Sequence, residues 1–275
     1  MPERAQAAAA RPVPGRAGGE VLALADANMA EMYRLDARAT REGFVVERAG
    51  LVMCGAPTNG PVTNMAMVTG AEDAGTVAAE TARVFGAAGL TFSVWTREHA
   101  DAALEAELGG AGWMLLMRVP AMVFHDGDGP PVAPPRGVVI RRVATEIDRA
   151  AYAELAGEAW AVYGVPPASS VAHFADPAHL CGPTTAAFLA WEGDAALAGA
   201  VLYESHGVGG IGWVSTRSAA RGRGLGAAIT WAAVHEGLRR GARFASLQAS
   251  PMGEPVYRRM GFTTASRYGV FLPRG

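Results

Sequence analysis

Apolar residues along the chain switch between helical and strand spacing in an order that occurs twice. From Val21 to about Thr40 they recur at helical intervals, and Asp26-Ala-Asn-Met-Ala-Glu-Met-Tyr-Arg-Leu35 is the clearest part of a helix. Strand-like runs follow at 44–47, 51–54 and 64–68. Residues 71–88 read as a second helix, 90–95 as a strand, 99–108 as a third helix ending in Gly109-Gly110, and 113–124 as a last strand. Met1 to Gly19, rich in Ala, Pro, Arg and Gly, has no periodic apolar pattern and reads as a disordered tail. Arg11, Pro12, Pro14 and Arg16 interrupt any run that would serve as the core of a signal peptide.

His125-Asp-Gly-Asp-Gly-Pro-Pro-Val-Ala-Pro-Pro-Arg-Gly137 then breaks regular structure and marks the expected domain boundary. Beyond it the order of elements returns: strand 138–143, helix 147–160, a Gly-Pro-Pro connection and a helical or loop segment to about Phe174. Strands 185–191, 196–203 and 211–214 follow. Helix 227–240, strand 244–249, helix 254–260 and strand 268–272 close the chain. The ends of the halves align: Gly89-Leu-Thr-Phe-Ser-Val-Trp-Thr leads through a helix to Gly112-Trp113, and Gly241-Ala-Arg-Phe-Ala-Ser-Leu-Gln leads through a helix to Gly261-Phe262. The pattern predicts a divergent internal duplication, with domains at 20–124 and 138–275 joined by a linker at 125–137.

Composition narrows the classes. Half of the 275 residues are hydrophobic and 18% are charged, enough for a substantial core. A formal net charge of −2, from 24 basic and 26 acidic residues, gives no support for nucleic acid or an anionic membrane as partner. No apolar run is long enough to span a bilayer. Cys54 and Cys181 are far apart and lack metal-ligand spacing, so buried cysteines, a reducing cytoplasmic setting and no metal are expected.

The candidate chemistry gathers in Trp213-Val-Ser-Thr-Arg-Ser-Ala-Ala-Arg-Gly-Arg-Gly-Leu-Gly-Ala-Ala-Ile-Thr230, a strand, a glycine-rich turn and a helix start. Gly222, Gly224 and Gly226 free the backbone and remove side chains that would hold a ligand away. The helix from about Ala227 points its unpaired N–H groups and positive dipole end into the turn, and Arg217, Arg221 and Arg223 add charge there. This suits an anionic, phosphate-bearing ligand; the plainer alternative is a glycine-rich helix start. Gly222-Arg-Gly-Leu-Gly-Ala227 also fits the dinucleotide fingerprint, but that fold wants an acidic residue about 20 positions later, where Ser246-Leu-Gln-Ala-Ser250 stands. A nucleotide-triphosphate loop is excluded because no Gly-Lys-Ser/Thr follows.

Arg221-Gly-Arg-Gly-Leu-Gly226 resembles the Arg/Gln-x-x-Gly-x-Gly/Ala pyrophosphate loop of the GCN5-related N-acetyltransferases (GNAT), and Tyr257-Arg-Arg-Met-Gly-Phe262 resembles their Tyr-x-x-x-Gly-Phe tail. The 41 positions from Arg221 to Phe262 leave room for one helix, one strand and the start of another helix. The resemblance covers residues 138–275. It implies a mixed α/β (α+β) fold of two GNAT-like domains, each a mostly antiparallel twisted sheet flanked by helices, with a splayed strand pair holding CoA in the second. The first half resembles the family only in its order of elements. Its counterpart segment, Met67-Val-Thr-Gly-Ala-Glu-Asp-Ala-Gly-Thr76, lacks the motif and places Glu72 and Asp73 where pyrophosphate needs positive charge, so it reads as a degenerate copy.

The resemblance further implies an acetyl-CoA-dependent N-acetyltransferase. Val214 and Thr216 would pair with pantetheine; Arg221, Gly222, Arg223, Gly224, Leu225, Gly226 and Ala227 would hold the pyrophosphate; Tyr257 would protonate the departing thiolate. Ser250 stands where many relatives carry an asparagine that bonds pantetheine. Glu204, or else His206, is the candidate base, each also readable as a solvated loop residue. Trp160-Ala-Val-Tyr-Gly-Val-Pro-Pro167 would line the acceptor pocket or close the core over a helix end. The expected acceptor is the primary amine of a small molecule or a protein, and the expected state a monomer or homodimer. The alternative function is an inactive acyl-CoA-binding sensor or scaffold.

Overall fold

The computed structural model describes residues 15–58, 60–127, 129–174 and 176–273. Most of the expected tail lies outside them, but its end is helical: α1 (Gly15–Ala39) begins upstream of Val21. The first half continues with β1 (Phe44–Arg48), β2 (Leu51–Gly55), β3 (Met65–Val68), α2 (Ala74–Thr81), β4 (Ser93–Arg97), α3 (Ala102–Gly110) and β5 (Met114–Phe124). A π-helical turn over Ala82–Gly86 ends the predicted second helix. The second half contains β6 (Val139–Arg142), α4 (Glu146–Trp160), α5 (Pro167–His173), α6 (Pro177–Cys181), β7 (Thr185–Glu192), β8 (Ala195–Ser205) and β9 (Val208–Thr216). It closes with α7 (Leu225–Arg239), β10 (Phe244–Gln248), α8 (Glu254–Arg259) and β11 (Thr263–Leu272).

Among the described residues eleven strands form one mixed sheet, in the order β1-β2-β3-β4-β11-β5-β10-β9-β8-β7-β6. Two independent sheets, as the domain reading expects, are not what the chain builds. The last strand of each half crosses over: β11 pairs with β4, Tyr268 opposite Arg97, and β5 pairs with β10, Ala245 opposite Phe124. Between them β5 and β11 form a long antiparallel ladder from Thr263–Val123 to Leu272–Met114. The order is symmetric about this seam. β3 and β4 are a parallel pair on one side and β9 and β10 on the other, and β6 has no counterpart among the described strands. The two halves of the chain therefore contribute half-sheets that complete each other.

Helix α1 lies across the second half because of what its buried stripe carries. Ala25, Met29 and Met32 face the core as the helical period requires, and Asn28 and Asp36 share that face. The Asn28 amide donates to the Tyr203 carbonyl at 3.0 Å, to Ser205 Oγ at 2.8 Å and to the Val208 carbonyl at 3.3 Å, binding α1 to the β8–β9 turn. Glycines in β9 permit the close approach: a Cβ at Gly210 would run into the Asn28 amide, and one at Gly212 would lie 3.0 Å from Met32 Sδ. On the opposite face α7 packs Leu225, Ile229, Ala233 and Val234 against Leu202, Ile211, Ala245 and Leu247.

The exchanged strands make the second half dependent on the first. Expressed alone, residues 138–275 expose the edges of β10 and β11 that β5 covers, and should give no monomeric, cooperatively melting domain by size-exclusion chromatography and circular dichroism. A monomeric fragment with a sharp melt would show that β10 and β11 can close without β5.

Candidate active site

β9 and β10 run parallel and hydrogen-bonded only from Val208–Phe244 to Ile211–Leu247. Beyond that point β9 stays with β8, Thr216 opposite Ala198, while β10 stays with β5, Gln248 opposite Ala121, and a wedge opens between them. A bulge marks its start: between the Val201–Gly212 and Gly199–Ser215 pairs β9 carries one residue more than β8, and Trp213 there has φ +50°. Positive φ at a tryptophan is strained, and such bulges re-aim backbone groups away from a ladder. Val214 and Thr216 follow in the splayed stretch, both half-buried.

The glycine loop closes the far end of the wedge. Gly222 (φ +77°) and Gly224 (φ +79°) are left-handed, whereas Gly226 is an ordinary helical residue inside α7. Gly224 is the N-cap of α7 and offers no side-chain cap, and among the described residues no backbone carbonyl takes up the amides of Gly222 to Ala227. Residues 221–224 are exposed, so this end of the helix dipole faces outward and unpaired. The three arginines do not act alike. Arg217 turns away to the Ala196 carbonyl, Glu154 and Glu158, and Arg223 pairs with Glu192 at 2.6 Å. Among the described residues the Arg221 guanidinium makes no hydrogen bond or ion pair, which leaves it available to an anion.

The equivalent turn in the first half is filled from within. Asp73 caps α2 by accepting from the Thr76 amide at 2.9 Å, Glu72 accepts from the Gly50 amide, and Arg97 donates to the Thr69 and Gly70 carbonyls. A carboxylate already occupies the position that is open at α7.

Tyr257, on α8, is buried against Phe262 with ring centroids 5.9 Å apart. Burial pushes its hydroxyl up to about 12. Gly253 sits beneath the ring: a Cβ there would lie 2.8 Å from Tyr257 Cε2. The Ser250 hydroxyl accepts from the Gly253 amide at 3.1 Å, so it holds the turn that presents Tyr257. Glu204 does not join this group. It lies opposite Gly209, in the closed part of the β9–β10 ladder, with its carboxylate 3.5 Å from Arg240. His206, with φ +54°, sits in the tight turn beyond it.

On the other face of β9 an aromatic row leads inward. Tyr163 and Trp160 are 5.5 Å apart between ring centroids, Trp160 and Trp213 4.8 Å, and Trp213 and His173 4.4 Å. Trp160 Nε1 also donates to Ser215 Oγ at 3.2 Å, so the expected pocket segment packs against the splayed strand. Ser169 Oγ donates to the Thr58 carbonyl, bringing the β2–β3 loop of the first half to the same corner.

The row ends on a buried polar cluster that the sequence reading did not single out. The Asp36 carboxylate, reaching in from α1, accepts from His179 Nε2 at 2.5 Å, from the Tyr203 hydroxyl at 2.8 Å and from Trp213 Nε1 at 3.0 Å. Burial opposes its ionisation, but the imidazoles of His179 and His173 outweigh that and hold the carboxyl well below its usual range. Burial, with the positive field of His179, brings His173 down to about 4. Cys54, nearby, is an inert thiol pushed by burial to about 12. The available signal was an aspartate on the apolar stripe of the first helix, where a carboxylate has to find partners. Which partners it finds depends on residues more than a hundred positions away.

Residues 150–262 match the family model described as "Acetyltransferase (GNAT) family". No curated protein matches the chain. Among solved structures, a GCN5-related N-acetyltransferase from Kribbella flavida is similar over 92% of this chain and 96% of its own, at 24% identity and a TM-score of 0.69. A GCN5-related N-acetyltransferase from Sphaerobacter thermophilus is similar over 82% and 81%, at 20% identity and a TM-score of 0.59. A tandem GNAT protein from the clavulanic acid biosynthesis pathway covers 93% and 96%, at 15% identity and a TM-score of 0.56.

Removing a donor from the buried Asp36 carboxylate should be costly. Trp213→Phe keeps the aromatic bulk and deletes the Nε1 bond, and should lower the stability measured by urea unfolding by about 1–3 kcal/mol.

Proposed function

Because the chain carries a GNAT-family acetyltransferase domain over residues 150–262, we propose that it is an acetyl-CoA-dependent N-acetyltransferase that passes the acetyl group directly to a primary amine. The observation that carries this reading is the uncapped N-terminus of α7, with left-handed Gly222 and Gly224, facing the open end of the β9–β10 wedge. An anionic pyrophosphate meets the amides from Gly222 to Ala227 and the Arg221 guanidinium there. The pantetheine arm then lies in the wedge against the β9 backbone at Val214 and Thr216, completing hydrogen bonds that β10 no longer makes.

The thioester comes to rest near the bulge at Trp213, where re-aimed backbone amides can polarise its carbonyl. The neutral amine attacks that carbon to form the N–C bond, its nitrogen loses one proton to solvent water, and the C–S bond breaks as the tetrahedral intermediate collapses to amide and thiolate. Tyr257 is protonated at neutral pH, as a tyrosine ordinarily is, and burial raises it further; its hydroxyl donates to the sulfur as negative charge develops and is reprotonated from solvent. The acceptor enters over Trp160 and Tyr163, on the face where the Thr58 loop also lies, so both halves shape its pocket. Glu204, held by Arg240 away from the wedge, plays no part in this reading. The first half binds no CoA, since Asp73 occupies the position its pyrophosphate would need.

Calorimetric titration should give about one acetyl-CoA per chain, and released thiol followed against an amine panel should show turnover. Gly224→Val places a β-branched residue in the left-handed region at about 1–3 kcal/mol of strain and should abolish acetyl-CoA binding. Tyr257→Phe should leave affinity unchanged and lower kcat by about a hundredfold or more. Binding of acetyl-CoA without turnover on any amine, in a protein indifferent to Tyr257→Phe, would support a sensor or scaffold instead.

A further inference from the structure

The Asp36 cluster contains two imidazoles whose proton positions are dictated by their outer partners. Thr40 Oγ1 donates its hydrogen to the Asp36 main-chain carbonyl at 2.7 Å, so at His173 Nδ1, 2.9 Å away, the hydroxyl must accept. His173 therefore carries its hydrogen on Nδ1, and its Nε2 is a bare lone pair. That atom is buried, has no hydrogen-bond partner among the described residues and lies 3.6 Å from Asp36 Oδ2. His179 is oriented in the same sense, with Nδ1 donating to the His173 carbonyl at 2.6 Å and Nε2 turned to Asp36 Oδ1.

Two lone-pair acceptors facing each other across 3.6 Å repel unless something positive lies between them. Asp36 has about four acceptor positions, and three are filled by His179, Tyr203 and Trp213. The remaining one belongs to Oδ2, which faces His173 Nε2. Beside them is a cavity of about 20 Å³, bordered by Tyr33, Cys54, Thr63 and Trp213, which has room for a single water.

From this geometry we propose that Asp36, His173 and His179 form a binding site for one divalent zinc-type cation, with a water in the cavity as fourth ligand. The three ligand atoms lie within 4.8 Å of one another. Tetrahedral zinc bonds of about 2.0–2.1 Å put ligands about 3.3 Å apart, and the present separations of 2.5 and 3.6 Å bracket that value. Both histidines already have the outer hydrogen bond from Nδ1 that fixes a metal-binding tautomer, to a backbone carbonyl in one case and to a hydroxyl in the other. On binding, His179 Nε2 gives up the proton it shares with Asp36, and that proton leaves to solvent as the nitrogen takes the ion. The expectation of no metal was drawn from the cysteines and did not weigh these three residues, which come from α1, α5 and α6. Their effect would be to tie the first half to the α5–α6 corner, independently of acetyl-CoA.

The test uses full-length protein without a histidine tag, stripped with chelator and titrated with Zn²⁺ and Co²⁺. The expected result is about one ion per chain by elemental analysis, a visible tetrahedral Co²⁺ spectrum and about one proton released per ion in weak buffer. A saturating excess of about a hundred times Kd should raise Tm by about 5–10 °C. His173→Ala should abolish the Co²⁺ spectrum. Thr40→Ala, which removes only the outer partner, should weaken binding about 10–100-fold, and Thr40→Ser should restore it. Absence of stoichiometric binding in the wild-type protein, an octahedral Co²⁺ spectrum, or binding that survives His173→Ala would overturn the proposal.

Discussion

The ladder between β5 and β11 is the constraint on which the rest of the structure depends. Each strand belongs by sequence to one half and supplies the hydrogen-bonding edge of the other. Exchange leaves neither β4 nor β10 with an open inner edge, which a sheet interrupted between two domains would have had to protect separately. It also sets the geometry of the wedge. β10 turns aside from β9 after Leu247 because β5 offers a continuing partner at Gln248, with the Pro120 carbonyl accepting from the Ala249 amide. The wedge of the second half is thus held open by a strand of the first.

Two helix N-termini at matching positions in the repeat show how local chemistry separates their roles. At α2 an aspartate side chain satisfies the first turn, and carboxylates and the Arg97 guanidinium consume the surrounding polar groups. At α7 glycine replaces the capping residue and two left-handed positions turn the chain without side chains. The same backbone architecture therefore yields one closed turn and one with unpaired donors facing outward. Unpaired donors cost stability when buried, but these are at the surface, where water or an anion can take them up.

Helix α1 links the halves through polar groups rather than apolar packing alone. Asn28 completes the hydrogen bonding of the β8–β9 turn, and Asp36 anchors Trp213, the strained residue at the bulge, together with Tyr203 and His179. Burying a carboxylate is tolerable only because several donors converge on it, and those donors reach it only when α1, α5, α6 and β9 are all in place. The cluster and the wedge are joined through Trp213, which ties the strand that would hold acetyl-CoA to a helix of the other half.

Much of this was legible in the chain. Apolar periodicity located nearly every helix and strand, because burial of one face imposes its period locally. The glycine spacing before α7 marked the left-handed turn and the helix start, because such turns are written in consecutive residues. Strand partnership was not legible: β5 and β11 have the same apolar alternation wherever they pair, so only the assembled sheet decided that they exchange. Nor did sequence distinguish Arg221, which is available, from Arg217 and Arg223, which are committed to distant carboxylates. It placed Glu204 near the cleft, whereas the register of β8 against β9 puts it in the closed part of the ladder. The Asp36, His173 and His179 cluster lay furthest from reach, since Asp36 is more than a hundred residues from both histidines and meets them only because tertiary packing lays α1 over the second half. Local patterns encode elements and turns; long-range convergence of polar groups is settled by the packing that buries them.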